Sequence, residues 1–419
     1  LRFLVVLIGL LGSLAHARED LPADIDLSGA SASDKATAKA LPFAFASDTL
    51  GVAFGVAGVV NHAGQPQASL VGIGFTTNNN SNLGYLGAHN YTLADSQWLL
   101  SAESYRGRYT QANYYLPGNP NFPNERPGAN ESSHDNRVTT LGIEGFHRVY
   151  LDYVLPFGDG AQGAAASLLS QPNAAKGWNP LNNGVTRIKS RWFNEWQDLV
   201  GLGSDGPRQS SKGVKLTLQW DNRDSTQHST RGGRTQLSVT KDWGSADRPS
   251  WSTWEFEQSL FVPLLKMLGT RSQVLALNYY LADTPSWNQM DSRTGMMRRP
   301  PPFIGINLGG MDRMRGFDSV RFHGRSATAY TAELRVTPEW QPLANLRLLR
   351  PYDIPWWQFV GFVETGRVAD SFNLTELHKN MRVSYGFGAR AAIEGLVVRA
   401  DLAFSQEGSQ AWFMINQSF

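Results

Sequence analysis

Few side chains in this sequence have the reactivity of a catalytic or metal centre. None of the 419 residues is cysteine. That excludes a disulfide framework, a thiolate zinc site, an iron–sulfur cluster and a cysteine nucleophile. The histidines, at positions 16, 62, 89, 134, 147, 228, 323 and 378, are scattered and show no metal-ligand spacing. His134-Asp135 lies in a proline- and asparagine-rich stretch and reads as a solvated turn. Gly-x-Ser-x-Gly is absent. The chain therefore reads as neither an enzyme nor a cofactor carrier. What remains is arginine and carboxylate chemistry, in three separated segments. The first is Trp220-Asp221-Asn222-Arg223-Asp224, followed by Thr230-Arg231-Gly232-Gly233. The second is Leu308-Gly309-Gly310, Met314-Arg315-Gly316-Phe317 and Glu333-Leu334-Arg335. The third is Phe362-Val363-Glu364-Thr365-Gly366-Arg367, followed by Ser384-Tyr385-Gly386-Phe387-Gly388-Ala389-Arg390.

The elements that must position these residues are strands. In 213–221, Val214, Leu216, Leu218 and Trp220 share one parity, and Lys215, Thr217, Gln219 and Asp221 the other. In 396–404, Leu396, Val398, Ala400, Leu402 and Phe404 oppose Val397, Arg399, Asp401 and Ala403. Successive strand side chains point to opposite faces, so each segment has one apolar and one polar face. The polar faces carry charges of both signs, as a water-filled lumen does. Trp220, Trp254, Trp357, Phe404 and Phe419 stand near strand ends, where interfacial girdles lie.

The N-terminus supplies the address. Arg2, an apolar run over 3–14 and Ala15-His16-Ala17 make a secretory signal over 1–17, cleaved before Arg18. No later run of 18 apolar residues exists, so an exported membrane protein must cross with strands. Residues 18–42 read as a short periplasmic N-terminal tail. Residues 43–419 read as an all-β, transmembrane antiparallel barrel. At roughly 23 residues per strand and connection, about 16 strands fit. The turn-rich stretches 116–136, 156–186 and 282–303 are expected as extracellular loops. A net charge of +2 gives no argument for nucleic acid.

Taken in order, with a terminal Phe419, the three segments resemble the surface-antigen (D15) barrel of the Omp85 superfamily, which includes BamA, TamA and the two-partner-secretion transporters. The stretch 46–57 is similar to the first strand of its shorter members. The resemblance covers nearly the whole mature chain and is strongest over 213–419. It implies 16 strands and a sixth extracellular loop folded into the lumen, with the tip Arg315-Gly316-Phe317 inside. It also implies that Arg315 pairs with Glu364, flanked by Phe362 and Gly366. Alternation agrees that Glu364 and Phe362 face the lumen. A guanidinium offers a carboxylate a planar donor fork that lysine lacks. Asp221, Arg223 and Asp224 form the matching strand-end motif. Only about 25 residues precede the barrel, too few for a POTRA domain, so the sequence resembles a POTRA-less branch.

The resemblance implies an outer-membrane location in a Gram-negative bacterium, with the N-terminus periplasmic. It implies a role in insertion or translocation of polypeptides through a weak seam between the first and last strands. Gly51, Gly55 and Gly58 in LGVAFGVAGVV, and Phe419, are the seam candidates. The glycines suit barrel curvature, or room for the inward loop, equally well. The alternative is a pore or transporter for small solutes or lipids. The implied partners are outer-membrane lipids and lipopolysaccharide, unfolded polypeptide clients, and the general barrel-assembly machinery that inserts this barrel itself.

Overall fold

A computed structural model describes residues 35–47, 50–94, 96–170, 177–200, 209–347, 349–350, 352–393, 396–415 and 417–419. The signal segment 1–17 and most of the expected tail lie outside these. The strands are β1 (Thr37–Ser47), β2 (Gly51–Asn61), β3 (Ser69–Thr77), β4 (Asn82–Thr92), β5 (Trp98–Tyr114) and β6 (Val138–Val154). Next come β7 (Val185–Val200), β8 (Gln209–Asp221), β9 (Gly232–Asp242), β10 (Trp251–Pro263) and β11 (Thr270–Asp283). A two-residue ribbon, β12 (Asn307–Leu308) with β13 (Phe322–His323), precedes β14 (Ser326–Pro338). The chain then forms β15 (Trp357–Ala369), β16 (Arg382–Ile393), β17 (Leu396–Ser405) and β18 (Gly408–Ile415). All but the ribbon form one sixteen-stranded sheet in which sequence neighbours pair antiparallel, from β1 at one edge to β18 at the other.

The burial pattern is that of a soluble protein turned inside out. On β15, Phe359 and Val363 are half exposed while Glu364 between β14 and β16 is 1% exposed. On β8, Leu216 and Leu218 are exposed, and Thr217 and Gln219 are buried. Arg335, Arg390, Arg399 and Asp401 are buried on the same inner face as Glu364. An apolar exterior around a charged interior is stable only with lipid outside, which is the design of a membrane barrel. No helix among the described residues is long and apolar enough to cross a membrane.

Several boundaries differ from the sequence reading. Pairing begins at Thr37, six residues ahead of the expected barrel start at 43. The small and polar residues before 43 read as a tail, but 37–42 belong to β1, whose Pro42 an edge strand tolerates. LGVAFGVAGVV is consequently the second strand, β2, held between β1 and β3. Gly51 has φ +68°, and a Cβ there would meet Asn78 Oδ1 at 2.0 Å. At Gly55 a Cβ would meet the Phe43 ring and the Gly74 carbonyl, and at Gly58 nothing within 3.7 Å. Gly55 thus accommodates both neighbouring strands and Gly51 the Asn78 side chain, while Gly58 has room for a Cβ.

Antiparallel order also sorts the connections by end. Residues 115–137 and 284–325 share one end. Residues 156–170 and 177–184, of the 156–186 stretch expected with them, lie at the opposite end, where β1 starts and β18 stops. This connection carries a short helix, α1 (Ala164–Leu169), whose Ala164 and Leu168 pack on Leu99, Val154 and Val185.

Candidate functional site

The connection 284–325 is the sixth on its end, and its tip sits on the inner face of β14–β17. Two features turn it there. Gly309 has φ +107°, and a Cβ would strike the Asp318 carbonyl at 2.3 Å. Met314, fully buried, has φ +59°, a left-handed conformation that costs a non-glycine residue on the order of 1 kcal/mol or more and is held by surrounding packing. Met314, Phe317 and Phe322 join Leu308, Ala327 and Val368 in an apolar cluster that anchors the connection to the wall.

Arg315 follows the Met314 turn and is completely buried. Its Nε donates to Glu364 Oε1 at 3.0 Å, and its main-chain N–H donates to Glu364 Oε2 at 2.5 Å. Nη1 donates to Asp401 Oδ2 at 2.8 Å, and Nη2 lies 2.8 Å from Glu333 Oε1. The guanidinium carbon stands 3.5 Å above the centre of the Phe362 ring. The Arg315 carbonyl accepts from Trp412 Nε1 at 2.7 Å. Every face of the residue is therefore engaged. Burial works against the Arg315 charge, but Glu364, Glu333 and Asp401 outweigh it and hold the guanidinium protonated far above any physiological pH.

Gly316 donates its N–H to Ser384 Oγ at 2.7 Å, and Ser384 donates to Glu364 at 3.0 Å. A Cβ on Gly316 would lie 2.5 Å from the Phe404 carbonyl, so the approach to β17 needs glycine. A Cβ on Gly366 would sit 3.0 Å from Leu308 of the connection and 3.1 Å from the Thr328 carbonyl. Glu333 also takes Arg335 at 2.7 Å and Arg390 at 2.8 Å, while Arg399 stands 3.6 Å from Asp401. Four guanidiniums thus share three carboxylates in one water-excluded network.

Of the residues singled out from sequence, Arg315, Gly316, Phe317, Phe362, Glu364 and Gly366 come together here. Asp221, Arg223 and Asp224 form a separate turn at the opposite end. Arg223 grips Asp221 with Nε at 3.0 Å and Nη2 at 2.7 Å, and Asp224 accepts from the Thr230 and Arg231 N–H groups. Phe419 does not close a lipid-facing strand. β18 ends at Ile415, and Phe419 packs on inner-face Phe261, Val274 and Ala276, with the Arg335 guanidinium 5.0 Å from its ring. Ser418 donates to Glu333 at 3.0 Å, so the chain end covers the network from below. Glu333, Arg335 and Arg390 stand inside the quoted segments, and Arg399 and Asp401 on the polar parity of 396–404, but the sequence assigned none of them to Arg315.

A second connection closes over the first. Tyr115 donates to Asp318 at 2.7 Å, and Arg321 bonds Ser132 and Glu407. Arg126 Nη1 donates to the His323 carbonyl at 2.9 Å. The His323 ring contacts the Tyr115 carbonyl at 2.9 Å, and Gly128 fits against it only because it lacks a Cβ. Burial pushes the His323 imidazole down to about 4, with Arg126 and Arg321 adding to the shift and the Tyr115 carbonyl opposing it. A histidine free in the undocked connection titrates near 6.5. Below that pH the open state takes up the proton first. Docking is therefore fully stable above about 6.5, weakens as pH falls toward about 4, and loses at most about 1.4 kcal/mol per pH unit. Protease cleavage within 115–137 is expected to rise between pH 7.5 and pH 4.5. In His323→Gln the rise should flatten, and an unchanged pH profile there would assign the effect to other groups.

No protein-family model and no curated protein matches the sequence. Solved structures do. BamA from Haemophilus ducreyi lacking POTRA domains 1–3 aligns at TM-score 0.50 and 12% identity, over 91% of this chain and 69% of that one. CdiB from Acinetobacter baumannii aligns at 0.50 and 12%, over 91% and 58%. CdiB from Escherichia coli aligns at 0.52 and 12%, over 91% and 61%. The chain thus spans about three-fifths of the two CdiB chains. With its meander of sixteen strands and its apolar exterior, the chain has the fold of the BamA and CdiB barrels it aligns with.

Proposed function

We propose that this barrel resides in the outer membrane of a Gram-negative bacterium, N-terminus periplasmic, and assists insertion or translocation of polypeptides. Its partners in this reading are outer-membrane lipids and lipopolysaccharide, unfolded clients, and the general machinery that inserts the barrel itself. The observation that carries the reading is the uneven height of the wall. β5, β6 and β7 run 16 or 17 residues, whereas β18 has eight and β1 eleven. A strand needs about 9–11 residues to cross lipid, so the bilayer beside β18 must thin to match. Few backbone hydrogen bonds can hold an edge that short, and a parted edge is a template for a client strand. The buried connection, meanwhile, occupies the interior and favours a route at the wall.

The chain has no cysteine, so one introduced in β1 and one in β18 are its only thiols. In liposomes, the oxidised protein is expected to lose its acceleration of folding of an unfolded barrel client and to regain it on reduction. Full activity in the locked form would sink the seam. One feature favours the pore reading: an inner cavity of about 260 Å³ beside the connection, lined by Arg148, Arg191, Glu195, Lys215, Glu255 and Arg313. If that cavity is the route, locking leaves solute leakage intact and client folding was never accelerated.

A further inference from the structure

The end of the barrel where β1 starts and β18 stops carries a patch that neither the inner network nor the seam uses. The β10–β11 turn reads Leu264-Leu265-Lys266-Met267-Leu268-Gly269. Leu265 is 92% exposed, Met267 66% and Leu268 fully exposed. Three large apolar side chains on a water-facing turn are costly, at about 25 cal/mol per Å² of apolar surface.

The neighbouring connection, 339–356, explains where they go. Its described residues, 339–347, 349–350 and 352–356, do not project from the rim but fold back over the outside of the wall. Ile354, with Leu343, Leu349 and Tyr352, packs on Trp357 and Ala391. Trp357 and Ala391 are paired across β15 and β16 and share the outward parity of exposed Phe359, Val363 and Phe387. The two connections are joined: Glu339 N–H donates to the Gly269 carbonyl at 3.0 Å, and Arg271 Nη1 to the Pro355 carbonyl at 3.3 Å. Trp340 and Leu346 add exposed apolar surface, 64% and 51%. Lys266, Arg271, Arg347 and Arg350 are all exposed among them, against Glu339 and Asp353.

Irregular backbone packed on the outside of a barrel cannot lie in hydrocarbon, because its N–H and C=O groups need polar partners. It can lie at headgroup level, with apolar side chains dipping inward and long cations reaching out to phosphate. We propose that 264–271 and 339–356 together form an interfacial platform that binds anionic phospholipid in the leaflet at this end. Apolar surface continuous with the lipid-facing wall and an excess of interleaved cations select that occupant. The inference is independent of polypeptide insertion, since an inert pore could carry the same platform.

The test uses single thiols on the cysteine-free full chain: Leu268→Cys, Leu346→Cys and, as a water-facing reference on the other end, Asp247→Cys. Each carries a fluorophore in vesicles of phosphatidylcholine with or without phosphatidylglycerol. Labels at 268 and 346 are expected to be quenched by lipid-borne nitroxide and at least tenfold less than the reference by aqueous iodide. Phosphatidylglycerol should be enriched among co-purifying lipids, and Lys266→Glu with Arg350→Glu should cut that enrichment roughly tenfold. Iodide quenching equal to the reference overturns the platform. Lipid contact without phosphatidylglycerol enrichment overturns the anionic selectivity. Protection that appears only at high protein density overturns both, assigning the patch to a second copy of the chain.

Discussion

Arg315→Ala is expected to release the connection 284–325 from the inner wall and to destabilise the barrel by about 3 to 5 kcal/mol, the scale for removing one partner of a buried ion pair. The reason is what stays behind. Glu364 and Asp401 each lose a guanidinium donor and Glu333 an ion-pair partner 2.8 Å away, and all three carboxylates are buried. Glu333 keeps Arg335 and Arg390, and Asp401 keeps Arg399 at 3.6 Å. Glu364 keeps only Ser384 and the main-chain N–H of residue 315, which is held in place by the side chain that has gone. The Phe362 ring loses its cation as well. Arg315→Lys should recover little, because one ammonium on a flexible stem cannot span three carboxylates on β14, β15 and β17. The checks are the temperature at which the folded band converts on a semi-native gel and trypsin cleavage within 284–325. Wild-type values for both in Arg315→Ala would show that Phe317 and its apolar neighbours seat the connection alone.

Parity along the strands was readable because lipid outside and charge inside make the alternation deep. Leu216 against Thr217, or Val363 against Glu364, are opposite extremes of residue type. The Arg-Gly-Phe tip and the Glu364 strand were readable because Gly316 leaves a close approach that no other residue allows. Register was not. Glu333 stands opposite Phe362, beside Thr331 opposite Glu364, and a slip of two residues would keep every face while moving Glu333 away from Arg315. Asp401 reaches the site only through the chain of pairings across β16. The end of the β6–β7 connection was not readable from length: it is long and turn-rich like 115–137 and 284–325, yet the strand order puts it where β1 starts and β18 stops. Phe419 was misplaced for a different reason. Its parity with Phe413 and Ile415 holds only while the strand continues, and the chain leaves the wall after Ile415.

Glu333→Gln should be as damaging as loss of Arg315, by the opposite imbalance. The carboxylate of Glu333 is touched by three arginines: Arg315 and Arg390 at 2.8 Å and Arg335 at 2.7 Å. Glutamine keeps the shape but turns one oxygen into a donor facing guanidinium N–H groups. Three buried cations then face each other, with Glu364 and Asp401 left to balance Arg315 and Arg399 as well. Their repulsion grows in a low-dielectric interior, so several kcal/mol is the expected cost. The chain end is coupled to the same atom, since Ser418 donates to Glu333 Oε1 and Gln417 accepts from Arg390. Release of Phe419 from Phe261 should follow, read as carboxypeptidase sensitivity of the C-terminus. A second substitution distinguishes charge from shape. If imbalance is the cause, Arg390→Gln added to Glu333→Gln removes one surplus cation and should restore about 1 to 3 kcal/mol, the usual coupling between contacting groups. Strictly additive losses would mean that packing at β14, and not charge, sets the stability of the inner wall.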